Sequence, residues 1–304
     1  MVVSMTNVRM VRAGVLDVGY ERHGAPDGWP VVLLHGFPYD VRCYDAVARR
    51  LADEGADVVV PYLRGYGPTR FTDAATMRSG QQAALAHDLH ELIAALALRS
   101  PLVAGYDWGG RAACLVAALW PGQVGGLATC AGYNVQDIAA FAVPEPPHVE
   151  RRLWYQYYLH GERGRAGLEA HRAEYARQLW GEWSPTWGFT DADFEATVGS
   201  FDNPDFVEVV VHSYRHRYGL VPGDPSYQAT EDVIAGSPRI GVPTVVLDPV
   251  DDTIDVPSRT DEHQRHFARL VDHRLVPGGH DVPQESPDEF AAALLSLRTA
   301  TRPR

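Results

Sequence analysis

Short unbroken apolar runs alternate, through the first half of the chain, with stretches whose apolar residues recur every three or four positions. Residues 14–22 read as a short strand. Residues 30–34 form an apolar run that stops at His35-Gly36-Phe37-Pro38, and residues 57–62 form another. Between those two runs, Tyr44, Val47, Ala48 and Leu51 sit at helical spacing, which predicts a helix over 42–54. The rhythm continues with an amphipathic helix over 79–98, a strand over 101–105, a small-residue helix over 109–120 and a strand over 126–130. Strand, helix, strand in succession predicts an α/β fold with a mostly parallel sheet flanked by helices.

The texture changes near Phe141. Val143-Pro144-Glu145-Pro146-Pro147 leads into arginine-rich, aromatic-rich helical sequence that contains Trp154, Trp180, Trp183 and Trp187. Apolar runs return at 242–247 and 274–276, and a helix over 287–297 closes the pattern. The expectation is one core domain, residues 1–140 and 239–304, interrupted by a helical cap, residues 141–238. No internal repeat or low-complexity tract appears.

Composition narrows the chemistry. The chain has 304 residues, 45% hydrophobic and 22% charged, enough to bury a large core. Acidic residues outnumber basic ones 39 to 27, for a formal charge of -12, so neither nucleic acid nor an anionic membrane is an expected partner. There is no lysine, which removes a Walker lysine, a Schiff-base lysine and a pyridoxal anchor. Cys43, Cys114 and Cys130 are widely spaced in apolar surroundings and show no metal-ligand spacing. Residues 1–13 lack a secretory pattern, and no stretch approaches the ~20 apolar residues of a membrane helix. The expected location is the cytoplasm. The expected partners are a small-molecule substrate and water, and a homodimer is allowed. No cofactor and no metal is expected.

Gly105-Tyr106-Asp107-Trp108-Gly109-Gly110 lies between a predicted strand and a predicted helix. Small residues at 105, 109 and 110 permit a turn sharp enough to expose Asp107, a nucleophile elbow with aspartate in place of serine. A carboxylate is ordinarily ionised near neutral pH and needs no base to attack an electrophilic alkyl carbon. The resulting ester of Asp107 must then be split by an activated water, which calls for a histidine held by a second carboxylate. His280 in Pro277-Gly278-Gly279-His280 and Asp252 after the 242–247 strand follow in suitable order, with Asp251 the rival acid. Backbone N–H groups of Phe37 and Trp108 are the expected oxyanion donors.

With these motifs in place, the chain resembles the α/β-hydrolase superfamily, and within it the soluble epoxide hydrolases and haloalkane dehalogenases. The resemblance rests on His35-Gly36-Phe37-Pro38, Arg64-Gly65-Tyr66-Gly67, the Gly-x-Asp-Trp-Gly-Gly elbow and Gly-Gly-His near the end. It implies an α/β-hydrolase fold with His35, Phe37, Trp108 and Gln156 against the substrate. The family acid follows a Gly-x-x-Asp pattern; here Pro249-Val250-Asp251-Asp252 has proline in the glycine position, and counting from it favours Asp252.

Opening an epoxide leaves an alkoxide, so a proton or strong hydrogen bonds must come from opposite the nucleophile, a task suited to phenols of pKa near ~10. Trp154-Tyr155-Gln156-Tyr157-Tyr158 is similar to the first cap-tyrosine segment of the epoxide hydrolases, and Ser213-Tyr214-Arg215 to the second. That likeness implies Tyr155 and Tyr214, with Tyr157 and Tyr158 as register alternatives. Halide departure instead needs N–H donors around an anion. Trp108 suits that, but Phe37 stands where haloalkane dehalogenases often carry asparagine, and Trp108 where fluoroacetate dehalogenases carry arginine. The expected activity is therefore epoxide hydrolysis, with dehalogenation, by the same Asp-His-Asp set, and ligand binding without catalysis as alternatives. His212 and His216, four apart, carry no further zinc-site signal and read as structural. Arg215 and Arg217 read as surface or ion-pair residues, with a role in holding an anionic substrate group left open.

Overall fold

The computed structural model describes residues 8–301. Positions 1–7, part of the stretch read for a secretory pattern, lie outside the described residues, as do 302–304 at the end of the expected core. Nine strands, β1 (Val8–Ala13), β2 (Leu16–Gly24), β3 (Trp29–Leu34), β4 (Ala56–Pro61), β5 (Arg70–Phe71), β6 (Leu102–Gly105), β7 (Gly126–Cys130), β8 (Ile240–Pro249) and β9 (Phe267–Val276), form one sheet among the described residues. Its spatial order is β1-β2-β4-β3-β6-β7-β8-β9, with β5 beside β2. β1 and β2, and β2 and β4, pair antiparallel, whereas every pair from β4 through β3 to β9 is parallel.

The central strands are apolar on both faces because helices cover both. β4, β6 and β7 are buried at every position. Helix α1 (Asp45–Asp53) turns Val47, Ala48 and Leu51 inward. Helices α2 (Gln82–Ala95) and α3 (Asp107–Leu119) bury most of their residues, and the C-terminal helix Pro287–Thr301 adds Phe290, Leu294 and Leu297. Besides the two-residue β5, two strands depart from the sequence expectation. The apolar pattern predicts no strand where β1 lies, and β9 is ten residues long where the pattern marks only its last three. Both are edge strands with many exposed, charged positions, so no apolar run marks them.

Between β7 and β8 lies the helical insertion, which includes the helices Trp154–Tyr158, Arg172–Trp183 and Phe206–Arg217. Its apolar side rests on the core: Trp180 is fully buried and its Nε1 donates to the Pro38 carbonyl at 2.9 Å. Polar ties join the two as well. Asn203 Nδ2 donates to the carbonyls of Gly67 and Thr69, and Arg78 pairs with Asp205 at 2.9 Å. The loops leaving β3, β6, β8 and β9 all open at the carboxyl edge of the parallel sheet, beneath the insertion, which is where open α/β sheets place their sites.

Candidate active site

β6 ends at Gly105 and α3 begins at Asp107, whose φ of 47° is left-handed, a conformation a non-glycine residue adopts only when its surroundings enforce it. The enforcement is steric. A Cβ on Gly109 would lie 2.0 Å from the Leu34 carbonyl oxygen, and one on Gly105 would lie 2.5 Å from the Gly109 carbonyl carbon. The helix can therefore start against β3 only with glycine at these places. The Phe37 N–H donates to Asp107 Oδ1 at 2.8 Å, and Arg111, one turn along α3, places Nη2 3.3 Å from Oδ2. Trp108, second in the helix, contributes one of the N–H groups that a helix start leaves without an intrahelical carbonyl.

His280 stands on the loop after β9. Its Nδ1 lies 2.9 Å from Asp252 Oδ2, and Asp252 Oδ1 accepts from the N–H groups of Ile254 and Asp255. Asp251 instead meets Thr186 at the surface, so the geometry sets Asp252 and not Asp251 against the imidazole. The His280 N–H donates to Ser184 Oγ at 2.9 Å, tying this loop to the insertion. Burial by itself would depress the imidazole pKa. The charge and hydrogen bond of Asp252, with Asp107 and Asp255 behind them, overcome it and raise the value to about 10. His280 Nε2 is buried without a protein partner.

The insertion supplies the opposite wall. Tyr155 and Tyr214 are both buried, with ring centroids 5.5 Å apart and planes nearly perpendicular. Tyr214 also lies edge-on to Phe37 at 5.5 Å, and Tyr155 meets Trp183, which in turn packs on His280 at 4.9 Å. Burial raises both phenol pKa values, and both lie within the field of Asp107, so each stays a neutral donor. Gln156 Nε2 donates to Tyr155 Oη at 2.8 Å, which leaves the Tyr155 hydroxyl hydrogen free to point elsewhere. Of the register alternatives, Tyr157 is 36% exposed and packs on Tyr218 and His160, and Tyr158 stacks on Tyr175. A cavity of about 570 Å³ reaches Asp107, Arg111, Tyr155, Gln156, Arg217 and Asp255.

Three placements add to or correct the sequence reading. His35, expected against the substrate, is fully buried; its Nε2 accepts from the Leu63 N–H and its Nδ1 therefore donates to the Gly36 carbonyl. Burial lowers its pKa to about 4, and this neutral ring braces the loop that carries Phe37. Asp255, unmarked by any motif, lines the cavity 3.9 Å from His280 Nδ1, with its pKa raised to about 6 by burial and by Asp252. Asp248, His263 and His273 form a second polar cluster: both histidine Nε2 atoms lie about 3 Å from Asp248 Oδ2. That cluster and Asp252-Asp255-His280 are the two groups among the described residues whose donor atoms lie close enough to share a cation. His212 is committed elsewhere, since its Nδ1 accepts from the Gly80 N–H and its Nε2 meets the Pro222 carbonyl.

Fold and site together define an α/β hydrolase with a carboxylate at its elbow. A family model described as the alpha/beta hydrolase fold matches residues 30–287, and the chain belongs to that family. Within it the chain falls in the epoxide hydrolase and dehalogenase-like branch. A crystal structure of a candidate epoxide hydrolase from Klebsiella pneumoniae subsp. pneumoniae MGH 78578 shares 41% identity and a TM-score of 0.92, over 96% of this chain and 97% of that one. Epoxide hydrolase A of Mycobacterium tuberculosis (strain ATCC 25618 / H37Rv) is 26% identical over 325 residues, covering 95% of this chain and 94% of its own. The soluble epoxide hydrolase of Corynebacterium sp. (strain C12) is 35% identical over 97 residues, and the match spans only about a third of that protein, 32%. No helix among the described residues is long and apolar enough to cross a membrane.

Proposed function

We propose that the protein is an epoxide hydrolase that turns an epoxide into a vicinal diol through an alkyl ester on Asp107, with residues 141–238 acting as the cap of a core formed by 1–140 and 239–304. The observation that carries this reading is the pair of buried, neutral phenols, Tyr155 and Tyr214, packed edge to face within the field of the elbow carboxylate. An Asp107 oxygen attacks one ring carbon and the carbon–oxygen bond of the epoxide breaks. The ring oxygen takes a proton from a phenol. The proton of the His280 imidazolium restores that phenol, so His280 reaches the ester stage as a neutral base.

Forming the ester removes the negative charge of Asp107, one of the three acids that hold the His280 pKa up. In the second step His280, oriented by Asp252, takes a proton from water as that water adds to the ester carbonyl. The tetrahedral oxyanion rests on the N–H groups of Phe37 and Trp108. Collapse expels the diol oxygen, which takes up the remaining proton, and the carboxylate and imidazolium are regenerated. The sum is epoxide plus water to diol.

One turnover in heavy-oxygen water tests the route. The ester pathway puts an Asp107 oxygen into the first diol and solvent oxygen into Asp107; solvent label in the first diol overturns it. A second reading, dehalogenation, is favoured by Trp108 Nε1, buried without a partner and able to donate to a departing halide. Halide release from haloalkanes, insensitive to Tyr155→Phe, would establish that reading instead.

A further inference from the structure

We propose that the same cavity holds an anion subsite built on Arg217, with Arg111 beside it, and that the epoxide it takes carries a carboxylate near the ring. The inference deepens the epoxide reading and rests on it. Arg217 ends the helix Phe206–Arg217, three residues after Tyr214, and only 5% of its surface is exposed. Its Nη1 donates to Gln156 Oε1 at 3.2 Å and the guanidinium lies over the Tyr214 ring, 4.8 Å from the centroid, while Nε and Nη2 are buried without a hydrogen-bond partner.

Two other guanidinium groups, one buried and one partly buried, show what that edge is for. Arg64, 1% exposed, places Nε and Nη2 each 2.6 Å from the two oxygens of Asp88. Arg22 does the same with Asp57, again at 2.6 Å twice. The Nε and Nη2 edge is the side that grips a carboxylate with two parallel hydrogen bonds. In Arg217 this edge is left over, although the chain carries 39 acidic residues against 27 basic ones. Glu145, Glu150 and Asp255 also line the cavity, yet no carboxylate among the described residues lies within ion-pair distance of Arg217. A buried cation without a counterion is costly to the fold, and such an orphan calls for an occupant.

Burial and the neighbouring Arg111 lower the Arg217 pKa to about 10, which still leaves it charged at neutral pH. Among the described residues Arg111 has one acid within ion-pair distance, Asp107, and loses it when Asp107 becomes an ester. From that point a substrate carboxylate is the counterion for both guanidinium groups, so the anion is held more firmly in the intermediate than in the first complex. With Arg111 Nη2 3.3 Å from Asp107 Oδ2, the carboxylate and the attacked carbon must be close neighbours in the substrate.

The test compares 3-phenylglycidate with the uncharged 3-phenylglycidamide. Wild-type kcat/KM is expected to favour the acid by roughly 100-fold or more, and Arg217→Gln to cut that preference by at least about 30-fold. Arg217→Lys retains part of it. Calorimetry with the product acid, 2,3-dihydroxy-3-phenylpropanoate, gives a readout that needs no turnover: binding weakens in Arg217→Gln. The melting temperature of Arg217→Gln is expected to hold or rise, because an unpaired buried charge is gone; a purely structural arginine would lower it. Equal turnover of acid and amide by the wild type, or an acid preference that survives Arg217→Gln, overturns the subsite and leaves epoxide hydrolysis standing. No diol and no Asp107 adduct from either compound overturns the epoxide reading and the substrate class with it.

Discussion

The two walls of the candidate site are built on different principles. On the core side each reactive group is pinned by hydrogen bonds and hard sterics: Asp107 by a left-handed turn, the Phe37 N–H and Arg111, and His280 by Asp252 and Ser184. On the insertion side position comes from aromatic packing, and donors are left over. Tyr155 and Tyr214 are held edge to face, and the Arg217 edge meets no acid. In the proposed mechanism the core wall fixes what bond is made, and the other wall is where a substrate completes the structure. Perturbing the first should destroy chemistry, and perturbing the second should reshape preference.

The largest effects fall on the core wall. Asp107→Asn removes the nucleophile and is expected to lower kcat by roughly 10,000-fold or more, with no added mass on the quenched protein. His280→Gln should behave differently. Attack on the epoxide proceeds, slowed by the missing imidazolium proton, but water is not activated, so one equivalent of ester still accumulates on Asp107 while steady turnover falls about 1,000-fold. Peptide mass mapping distinguishes the two. An adduct in neither variant, or on another residue, breaks the assignment of roles between the elbow and the β9 loop.

Asp252→Asn is next in size, about 100-fold in kcat, and its signature is pH. The wild-type imidazole has its pKa raised to about 10 because the acids around it outweigh burial. Without Asp252, burial prevails and the value drops toward or below the ordinary 6.5. The alkaline limb of ester formation, near pH 10 in the wild type, should move down by several units. Stability carries the same sign. A histidine whose folded pKa exceeds its unfolded one contributes stability fully below pH 6.5 and loses it as pH rises through about 10, and the variant should lose that slope. Thermal unfolding between pH 6 and 10 measures it.

How much of this was legible in the sequence follows the same division. The elbow is written locally, since Gly105 and Gly109 are needed by contacts within a few residues and with the adjacent strand. The fold class followed from apolar runs in strands buried on both faces, whereas β1 and β9, at the edges, carried no such run. The placement of Asp252 over Asp251 depended on a loop path that spacing only suggests. On the insertion side the family likeness implies Tyr155 but leaves Tyr157 and Tyr158 as register alternatives, because three tyrosines in four positions point around a helix and only tertiary packing shows that Tyr155 is the buried one. The bracing role of His35 is hidden for a related reason: nothing along the chain tells that the Leu63 N–H, 28 residues on, will occupy its Nε2. The Asp248-His263-His273 cluster and the unmet edge of Arg217 depend wholly on long-range neighbours, and no motif announces them.

The smallest effects belong to the phenols, and they sharpen the contrast most. Tyr155→Phe and Tyr214→Phe each remove one donor from a well-packed ring, so each variant should fold as the wild type does and form the ester about 10- to 100-fold more slowly. Because Gln156 Nε2 donates to Tyr155 Oη, its loss leaves that amide hydrogen without its acceptor, and Tyr155→Phe should be the more costly of the two to stability. The double variant should lose more in ester formation than either single one yet hydrolyse a preformed ester at the wild-type rate, since the phenols act at ring opening alone. Single-turnover traces with separate ester formation and decay phases measure both rates. A slowed decay phase would mean that the aromatic wall also positions water for His280, and the division of labour between the two walls would then be wrong.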